Sequence, residues 1–170
     1  MARRPVTMTA TSTRNVCLKT PKFGDTVTES GKTNQLNPIK HKTTHHAVFH
    51  EIDGYGHLST LHYVYYFVTH RSSAMRERFG LGLKEIGDIP VAFYVKNLSV
   101  AFIRPVVGDR PFSIESHIAE RDERGAKVHC EMLDENGKKV STCTLDVVCV
   151  DKKTARPCPW PEELIGRFYE

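Results

Sequence analysis

One short segment, residues 51–66, holds the residue types that could act on a carbonyl group. An acid, Asp53, precedes two glycines, which let backbone approach a ligand, and then the predicted start of a helix. Backbone N–H groups at a helix start can donate to an oxygen that gains negative charge. Asp53 could then act on the carbonyl carbon, directly as a nucleophile or as the base that activates water. On local chemistry alone, the alternative that Asp53 only caps an Asp-Gly turn is at least as good.

Histidines near this segment are candidate metal ligands and candidate site residues. Nine are present, and four cluster around the first predicted strand: His41, His45, His46 and His50. Strand alternation would turn His45 and His46 to opposite faces, and no carboxylate is spaced to complete a site, so no metal or cofactor is predicted. His57 is the better functional candidate, because it could orient the turn or touch substrate. His62 could line the pocket, or could equally be a structural residue.

Composition excludes several classes of protein. The chain has 170 residues, 39% of them hydrophobic, and a net charge of +4, as expected of one ordinary domain. No apolar run approaches the roughly 20 residues of a membrane span. Residues 1–46 hold eight basic residues against two acids, whereas the rest of the chain is slightly acidic. The basic excess is therefore confined to the tail, and nucleic acid is not an expected partner.

The sequence divides into an arm and a body. Residues 1–42 are rich in Thr, Ser, Lys and Arg and lack periodicity, which predicts a disordered or surface-packed arm, with an organellar transit peptide as the alternative. Residues 43–170 form the predicted domain. Five cysteines without a Cys-x-x-Cys pair favour a reducing compartment, so we predict the cytoplasm, or an organellar matrix if the arm is a transit peptide.

The body predicts an α+β fold. A strand is expected over residues 43–52 and a helix over 60–79, with Ser59 or Thr60 as N-cap. Apolar or small residues at three- and four-residue steps mark one stripe of that helix: Leu61, Val64, Tyr65, Val68, Ser72, Met75 and Phe79. After a loop over 81–90, four sequential antiparallel strands are expected, over 91–104, 111–121, 127–133 and 139–150. Hairpins are expected between them, with turn signals at 108–109, 124–125 and 136–137. The aromatic-rich helix suggests burial on more than one side, and hence a homo-oligomer.

Three motifs carry a resemblance to a known family. The first is an Asp at the end of the first strand, a turn with Gly and His, and a Tyr ten residues after the Asp, matched by Asp53, Gly56, His57 and Tyr63. An aromatic-x-Arg-Pro stretch followed by Gly-Asp matches residues 102–105 and 108–109. A Val-rich strand that ends in Asp, then a Pro-rich segment before a short helix, matches 147–151 and 157–164. In this order, residues 43–168 resemble the hotdog-fold acyl-CoA thioesterases of the 4-hydroxybenzoyl-CoA thioesterase type.

The resemblance implies a fold, an assembly and a reaction. The fold would be an antiparallel sheet wrapped around one long central helix, in dimers with sites at the subunit interface, often paired into homotetramers. The reaction would be hydrolysis of an acyl-CoA or acyl-carrier-protein thioester to free acid and thiol. Asp53 would be the catalytic carboxylate, and the backbone near Ser59 and Thr60 would hold the thioester oxygen. Substrate contacts are expected from Gly56, His57, Ser59, Thr60, His62 and Tyr63.

The sequence also departs from the family pattern, and two other functions stay open. Many relatives have Asn-Asn where Ser59 and Thr60 stand, and Glu where Val68 and Ser73 stand, so the acyl pocket should be less acidic here. One alternative is an enoyl-CoA hydratase or dehydratase of the same fold, since Asp53 and His57 imitate its acid–histidine pair at a spacing one residue shorter. The other is a non-enzymatic protein that binds acyl thioesters.

Overall fold

The computed structural model describes residues 37–108 and 110–170. Most of the predicted arm, together with Cys17 and Asp109, lies outside these residues. The described chain begins in backbone hydrogen bonds with the C-terminus: the Asn37 N–H donates to the Glu170 carbonyl at 3.1 Å, and the Glu170 N–H donates to the Asn37 carbonyl at 2.9 Å. No helix of the described part is long and apolar enough to cross a membrane.

Five strands form one antiparallel sheet in the order β1-β3-β4-β5-β2. Their bounds are β1 His41–His46, β2 Val91–Phe102, β3 Pro111–Arg121, β4 Gly125–Asp134 and β5 Lys139–Asp151. The prediction for β3 matches these bounds because its side chains alternate regularly between buried and partly exposed. Strands β3, β4 and β5 are neighbours in the sheet and in the chain, as their turn signals predicted.

The first strand and the first hairpin were predicted wrongly. β1 ends at His46 rather than at residue 52, because the next residues bend into a 3-10 turn, Phe49–Glu51. β2 pairs with β5 and not with β3, so the described residues 103–108 belong to a connection across the sheet and not to a hairpin turn. Turn residues can signal that a strand ends, but they do not determine which strand becomes its partner.

The central helix, α1, spans Thr60–Ser73 and continues as a π-helical turn, Ala74–Arg78. Its most buried side chains are Tyr63, Tyr66, Phe67 and His70, which lie against the sheet. The Tyr66 ring meets Phe112 of β3 edge to face, with ring centroids 4.9 Å apart. The predicted stripe faces inward only in part: Met75 and Phe79 pack against the core, whereas Leu61 is 79% exposed, Tyr65 59% and Val68 39%. Both faces carry apolar residues, and periodicity does not tell which one meets the sheet.

Two short helices complete the described fold. Helix α2, Leu83–Asp88, lies in the segment predicted as a loop, which corrects that prediction. Helix α3, Glu162–Ile165, is the short helix expected after the Pro-rich segment. Near α3, buried Phe168 packs on Phe79 with ring centroids 4.5 Å apart, and buried Trp160 packs on Phe93 with ring centroids 4.6 Å apart. This aromatic cluster fixes the C-terminal segment to the body.

A buried histidine joins α1 to the sheet. The ring nitrogens of His70 lie 2.7 Å from the Thr43 hydroxyl and 2.8 Å from the Ser116 hydroxyl, within hydrogen-bond distance of both. Burial lowers the pKa of His70 from 6.5 to about 3, and the nearby rings of His41 and His45 act in the same direction. Burial also lowers the pKa values of His41 and His45 themselves. The folded domain therefore holds these histidines neutral.

We expect this histidine group to make the fold sensitive to acid. The unfolded chain takes up protons below about pH 6.5, whereas folded His70 resists protonation down to about 3, so stability is full above pH 6.5 and falls as the pH drops towards 3. For each proton that the unfolded chain binds and the folded chain does not, the free energy of unfolding falls by about 1.4 kcal/mol per pH unit. Urea unfolding at about pH 7.5 and about pH 5 measures the loss.

His70→Asn should make this pH dependence shallower by about one proton. His46→Asn is the control, because His46 lies on β1 but is exposed. Equal pH dependence in wild type and His70→Asn would contradict the assignment.

Candidate active site

Asp53 lies in a tight turn between the 3-10 turn and α1. Its Oδ1 accepts the N–H groups of Tyr55 at 2.8 Å and His57 at 3.2 Å. The turn is closed by the Asp53 N–H, which donates to the His57 carbonyl at 2.8 Å, and by the Gly56 N–H, which donates to the Asp53 carbonyl at 3.0 Å. Gly56 has a φ of +78°, a left-handed conformation that disfavours other residues. The carboxylate is thus held in place while the residue stays exposed to solvent.

The same backbone cap occurs elsewhere in the chain. In the β4–β5 hairpin, Asp134 Oδ1 accepts the N–H groups of Asn136 at 2.9 Å and Lys138 at 2.8 Å, the same two- and four-residue spacing. The turn-capping interpretation of Asp53 is therefore correct as a description of its local hydrogen bonds. What distinguishes Asp53 from Asp134 is its position directly before α1.

The start of α1 is free of a side-chain cap. Ser59 stands at the N-cap position, but its hydroxyl makes no capping hydrogen bond and lies 2.7 Å from His62 Nδ1 instead. The first turn contains no acid that would offset the positive end of the helix dipole. Thr60, the first helical residue, is exposed. The Ser59 N–H donates to the Glu51 carbonyl and the His62 N–H donates to the Ser59 carbonyl, both at 2.9 Å. The N–H groups of Thr60 and Leu61 therefore remain as donors for a ligand.

The second motif lies beside the Asp53 turn. The Leu58 N–H donates to the Val106 carbonyl at 2.9 Å, and the Gly108 N–H donates to the Gly56 carbonyl at 3.3 Å. A side chain at Gly108 would crowd Ile52, since its Cβ would lie 3.2 Å from that residue's side-chain carbons. The two segments that carried the family resemblance before and after α1 are thus neighbours in space.

Tyr63 joins these two segments from α1. It is 4% exposed, and its hydroxyl oxygen accepts the Val106 N–H at 2.9 Å. Burial raises the pKa of Tyr63; the Val106 N–H opposes this, and the negative charge of Asp53 raises the pKa further. The electrostatic effect of Asp53 therefore extends to Tyr63, in the first turn of α1. Tyr63 positions the loop after β2, and its predicted contact with substrate stays a prediction.

A second carboxylate in the site, Glu51, escaped the sequence analysis. It is 5% exposed, and its Oε2 accepts the Tyr66 hydroxyl at 2.6 Å and the Val48 N–H at 2.9 Å. Burial opposes ionisation most strongly, but these two hydrogen bonds and the nearby His62 and His50 together keep the pKa of Glu51 below its ordinary value. Its only sequence signal was an acid within the apolar run before the Asp-Gly turn.

Glu51 also corrects the assessment of the histidines. Ligand atoms of His50, Glu51 and His62 lie within 4.8 Å of one another, although no carboxylate was expected near a histidine group. The third member comes from α1 rather than from the first strand, so sequence spacing could not indicate it. His41, His45 and His46 are not part of this group.

A family model described as the Thioesterase-like superfamily matches residues 47–168. The chain belongs to this superfamily. The match includes the Asp53 turn, α1 and the connection after β2, which are the parts of the candidate site. It confirms the predicted family relationship and, at the level of class, the predicted enzyme, a thioester hydrolase.

Solved structures share the fold of this thioesterase-like chain. One is a hypothetical protein from Staphylococcus aureus in complex with CoA, with 17% identity and a TM-score of 0.71 over 79% of this chain and 85% of that one. Another is the DHNA-CoA thioesterase from Staphylococcus aureus, with 16% identity and a TM-score of 0.63 over 71% and 80%. A third is 1,4-dihydroxy-2-naphthoyl-CoA thioesterase from Synechocystis, with 14% identity and a TM-score of 0.67 over 75% and 94%. These similarities confirm the predicted hotdog fold. A search of curated protein sequences returned no significant match.

We expect the Tyr66–Glu51 hydrogen bond to stabilise the site. Tyr66→Phe leaves the buried Glu51 carboxylate without one of its two donors, and should lower the free energy of unfolding by about 1–3 kcal/mol. Urea unfolding at neutral pH measures the change. Tyr65→Phe is the matched control, because Tyr65 is the exposed neighbour on the same helix. Equal losses in the two variants would contradict a specific contribution of this hydrogen bond.

Proposed function

We propose that this thioesterase-like protein hydrolyses an acyl thioester with Asp53 as its catalytic carboxylate and the start of α1 as the group that polarises the carbonyl. One observation carries the proposal: two N–H donors fix the carboxylate in the turn that leads into α1, whose start at Thr60 has no side-chain cap. A thioester carbonyl bound at that start would accept backbone N–H groups as its oxygen gains charge. Its carbon would then face the carboxylate.

The reaction needs an attack on the carbonyl carbon and the departure of a thiol. Asp53 either attacks the carbonyl carbon directly or removes a proton from the attacking water. The carbon–sulfur bond then breaks, and the thiolate takes up a proton to leave as a free thiol. After attack by water the acyl group is already the free acid. After direct attack it remains on Asp53 as a mixed anhydride, which water hydrolyses to the free acid and the restored carboxylate. Asp53 Oδ1 accepts both backbone N–H groups of the turn, so Oδ2 is the oxygen available for this chemistry.

The substrate side of the proposal rests on the turn and the helix start. We propose that Gly56, His57, Ser59, Thr60 and His62 bind the thioester, with Tyr63 next to them. Gly56 and Thr60 are exposed, and His57, Ser59 and His62 are partly exposed, so a ligand can reach them. CoA or a carrier protein as the thiol is supported by the structural neighbours, one of them in complex with CoA and two named as CoA thioesterases.

A second copy of the chain is the proposed partner. The exposed stripe of α1, here Leu61, Tyr65 and Val68, is apolar, and β2 is an edge strand of 12 residues without a second neighbour in the described sheet. Pairing two such edges would extend the sheet and cover apolar side chains that water now contacts. We propose a homodimer or homotetramer in which the partner completes the acyl pocket.

The four described cysteines, all free thiols, fit the cytoplasm as the compartment.

Asp53→Asn should abolish most of the activity and leave the fold intact. The amide oxygen of Asn can accept the same two N–H groups, but it has no negative charge for nucleophilic or base catalysis. We expect turnover of a panel of acyl-CoA substrates to fall by about 100-fold or more, measured as release of free thiol. Asp134→Asn is the matched control, since Asp134 makes the same turn cap in the β4–β5 hairpin and not in the turn that leads into α1.

Three outcomes of this experiment would contradict the proposal. Unchanged turnover in Asp53→Asn would contradict the role of Asp53. Hydration of enoyl-CoA without thiol release would favour the hydratase alternative. Tight binding of acyl-CoA without turnover in the wild type would favour a binding protein.

The proposed assembly can be tested through the exposed face of α1. Wild type should elute at two or four times the chain mass of 19.3 kDa in size exclusion with light scattering. Tyr65→Arg places a charge in the apolar stripe and should weaken the assembly by about tenfold or more in dissociation constant. Leu83→Arg is the control, because Leu83 is an apolar residue on α2 that is more exposed than Tyr65. A wild-type mass of one chain would contradict the proposal.

A further inference from the structure

Three side chains with metal-binding atoms meet beside the start of α1. His50 and Glu51 come from the 3-10 turn Phe49–Glu51, and His62 comes from the first turn of α1. Their ligand atoms all lie within 4.8 Å of one another. We propose that His50, Glu51 and His62 bind a divalent transition-metal ion, with Zn²⁺ as the best match. This site goes beyond the proposed thioester hydrolysis, none of whose steps uses a metal, and it shares His62 with the proposed thioester contacts.

The donor set suits zinc. Two imidazole nitrogens and one carboxylate oxygen are common zinc ligands, and three protein ligands leave a fourth position for water. Carboxylate-only sites favour Mg²⁺ or Ca²⁺, whereas imidazole favours Zn²⁺ and its neighbours in the transition series. His50 is exposed, so the fourth position would face solvent and the ion could enter from there.

Two of the three ligands are already oriented by other hydrogen bonds. Glu51 Oε2 is held by the Tyr66 hydroxyl at 2.6 Å and the Val48 N–H at 2.9 Å, while Oε1 has no hydrogen-bond partner among the described residues. His62 Nδ1 lies 2.7 Å from the Ser59 hydroxyl, so Nε2 is the nitrogen left for a ligand. Metal ligands in proteins are usually fixed by such outer hydrogen bonds, which set the direction of the lone pair.

The movement needed to bring the three ligand atoms onto one metal ion is small. Bond lengths of about 2.0–2.2 Å put two ligand atoms on one tetrahedral zinc roughly 3.3 Å apart. The rings of His50 and His62 stand 6.0 Å apart by centroid and cross at 72°, so they face one region of space without stacking. Rotation of the exposed His50 side chain can close the remaining gap. Bound metal would tie the 3-10 turn to α1 and fix the backbone that leads into the Asp53 turn.

Other groups in the described chain could also attract metal and must be distinguished. His117 and His129 form a second histidine pair, with ring centroids 5.7 Å apart, but they do not belong to a group of three ligands. Cys149 and Cys158 have sulfur atoms 3.7 Å apart and could offer thiolates to a soft metal ion. The pair of histidines supplies a control variant, and the thiols require a measurement that identifies the ligand atoms.

The test is a titration of the full-length, metal-free chain with Zn²⁺ alone, followed by calorimetry. We expect one ion per chain. His50→Ala and His62→Ala each remove a ligand, and should weaken binding by more than the roughly 10–100-fold that loss of an outer hydrogen bond costs. His129→Ala, which removes one ring of the other pair, should bind as wild type does. Circular dichroism checks that each variant is folded.

Titration with Co²⁺ identifies the ligand atoms. Nitrogen and oxygen ligands give visible d–d bands alone, whereas thiolates add an intense charge-transfer band in the near ultraviolet. The proposal is overturned if wild type does not bind Zn²⁺ at concentrations on the order of 100 µM. Wild-type affinity in folded His50→Ala, or a thiolate band with Co²⁺, would also overturn it. Because the readout is binding, the result is independent of thioesterase activity.

Discussion

One helix and one antiparallel sheet bury each other's apolar side chains in the described domain. Strands β3, β4 and β5 present one buried face, and α1 covers it with Tyr66, Phe67 and His70. This packing fixes the axis of α1, and therefore the place where its first N–H groups point. The Asp53 turn and the connection after β2 then meet at that helix start, hydrogen-bonded through Leu58 and Val106. Every property proposed for the site depends on this contact between helix and sheet.

The comparison of Asp53 with Asp134 shows what the surroundings add to a local conformation. Both carboxylates accept backbone N–H groups at the same spacing, so their turns alone cannot distinguish a catalytic group from a turn cap. Sequence motifs predicted the segment that carries Asp53 because the chemistry is concentrated over a few adjacent residues. They could not predict Glu51 as a buried partner of Tyr66, or its approach to His62, because those contacts arise only when α1 folds back on the preceding turn.

The sequence predicted the fold unevenly, and the physical reasons differ between elements. The bounds of β3 followed from strict alternation, since one face of that strand is buried and the other is not. The apolar stripe of α1 did not identify its inward face, because the helix carries two apolar faces, one against the sheet and one exposed at Leu61 and Tyr65. The short α2 was missed because six residues offer too few turns for periodicity to register. Strand partners were misjudged for β2 because pairing depends on the whole sheet.

The pairing of β2 with β5 has a consequence for the synthesis of the chain. β2 is made well before its only described neighbour, with β3 and β4 in between. At roughly 5–20 residues per second, a ribosome needs several seconds to complete β5 after β2 has emerged. During that time a strand of 12 residues with Tyr94, Val95 and Phe102 has both edges open. An unpaired strand of this kind can pair with another chain, and β5 removes one of its two open edges when it forms the sheet.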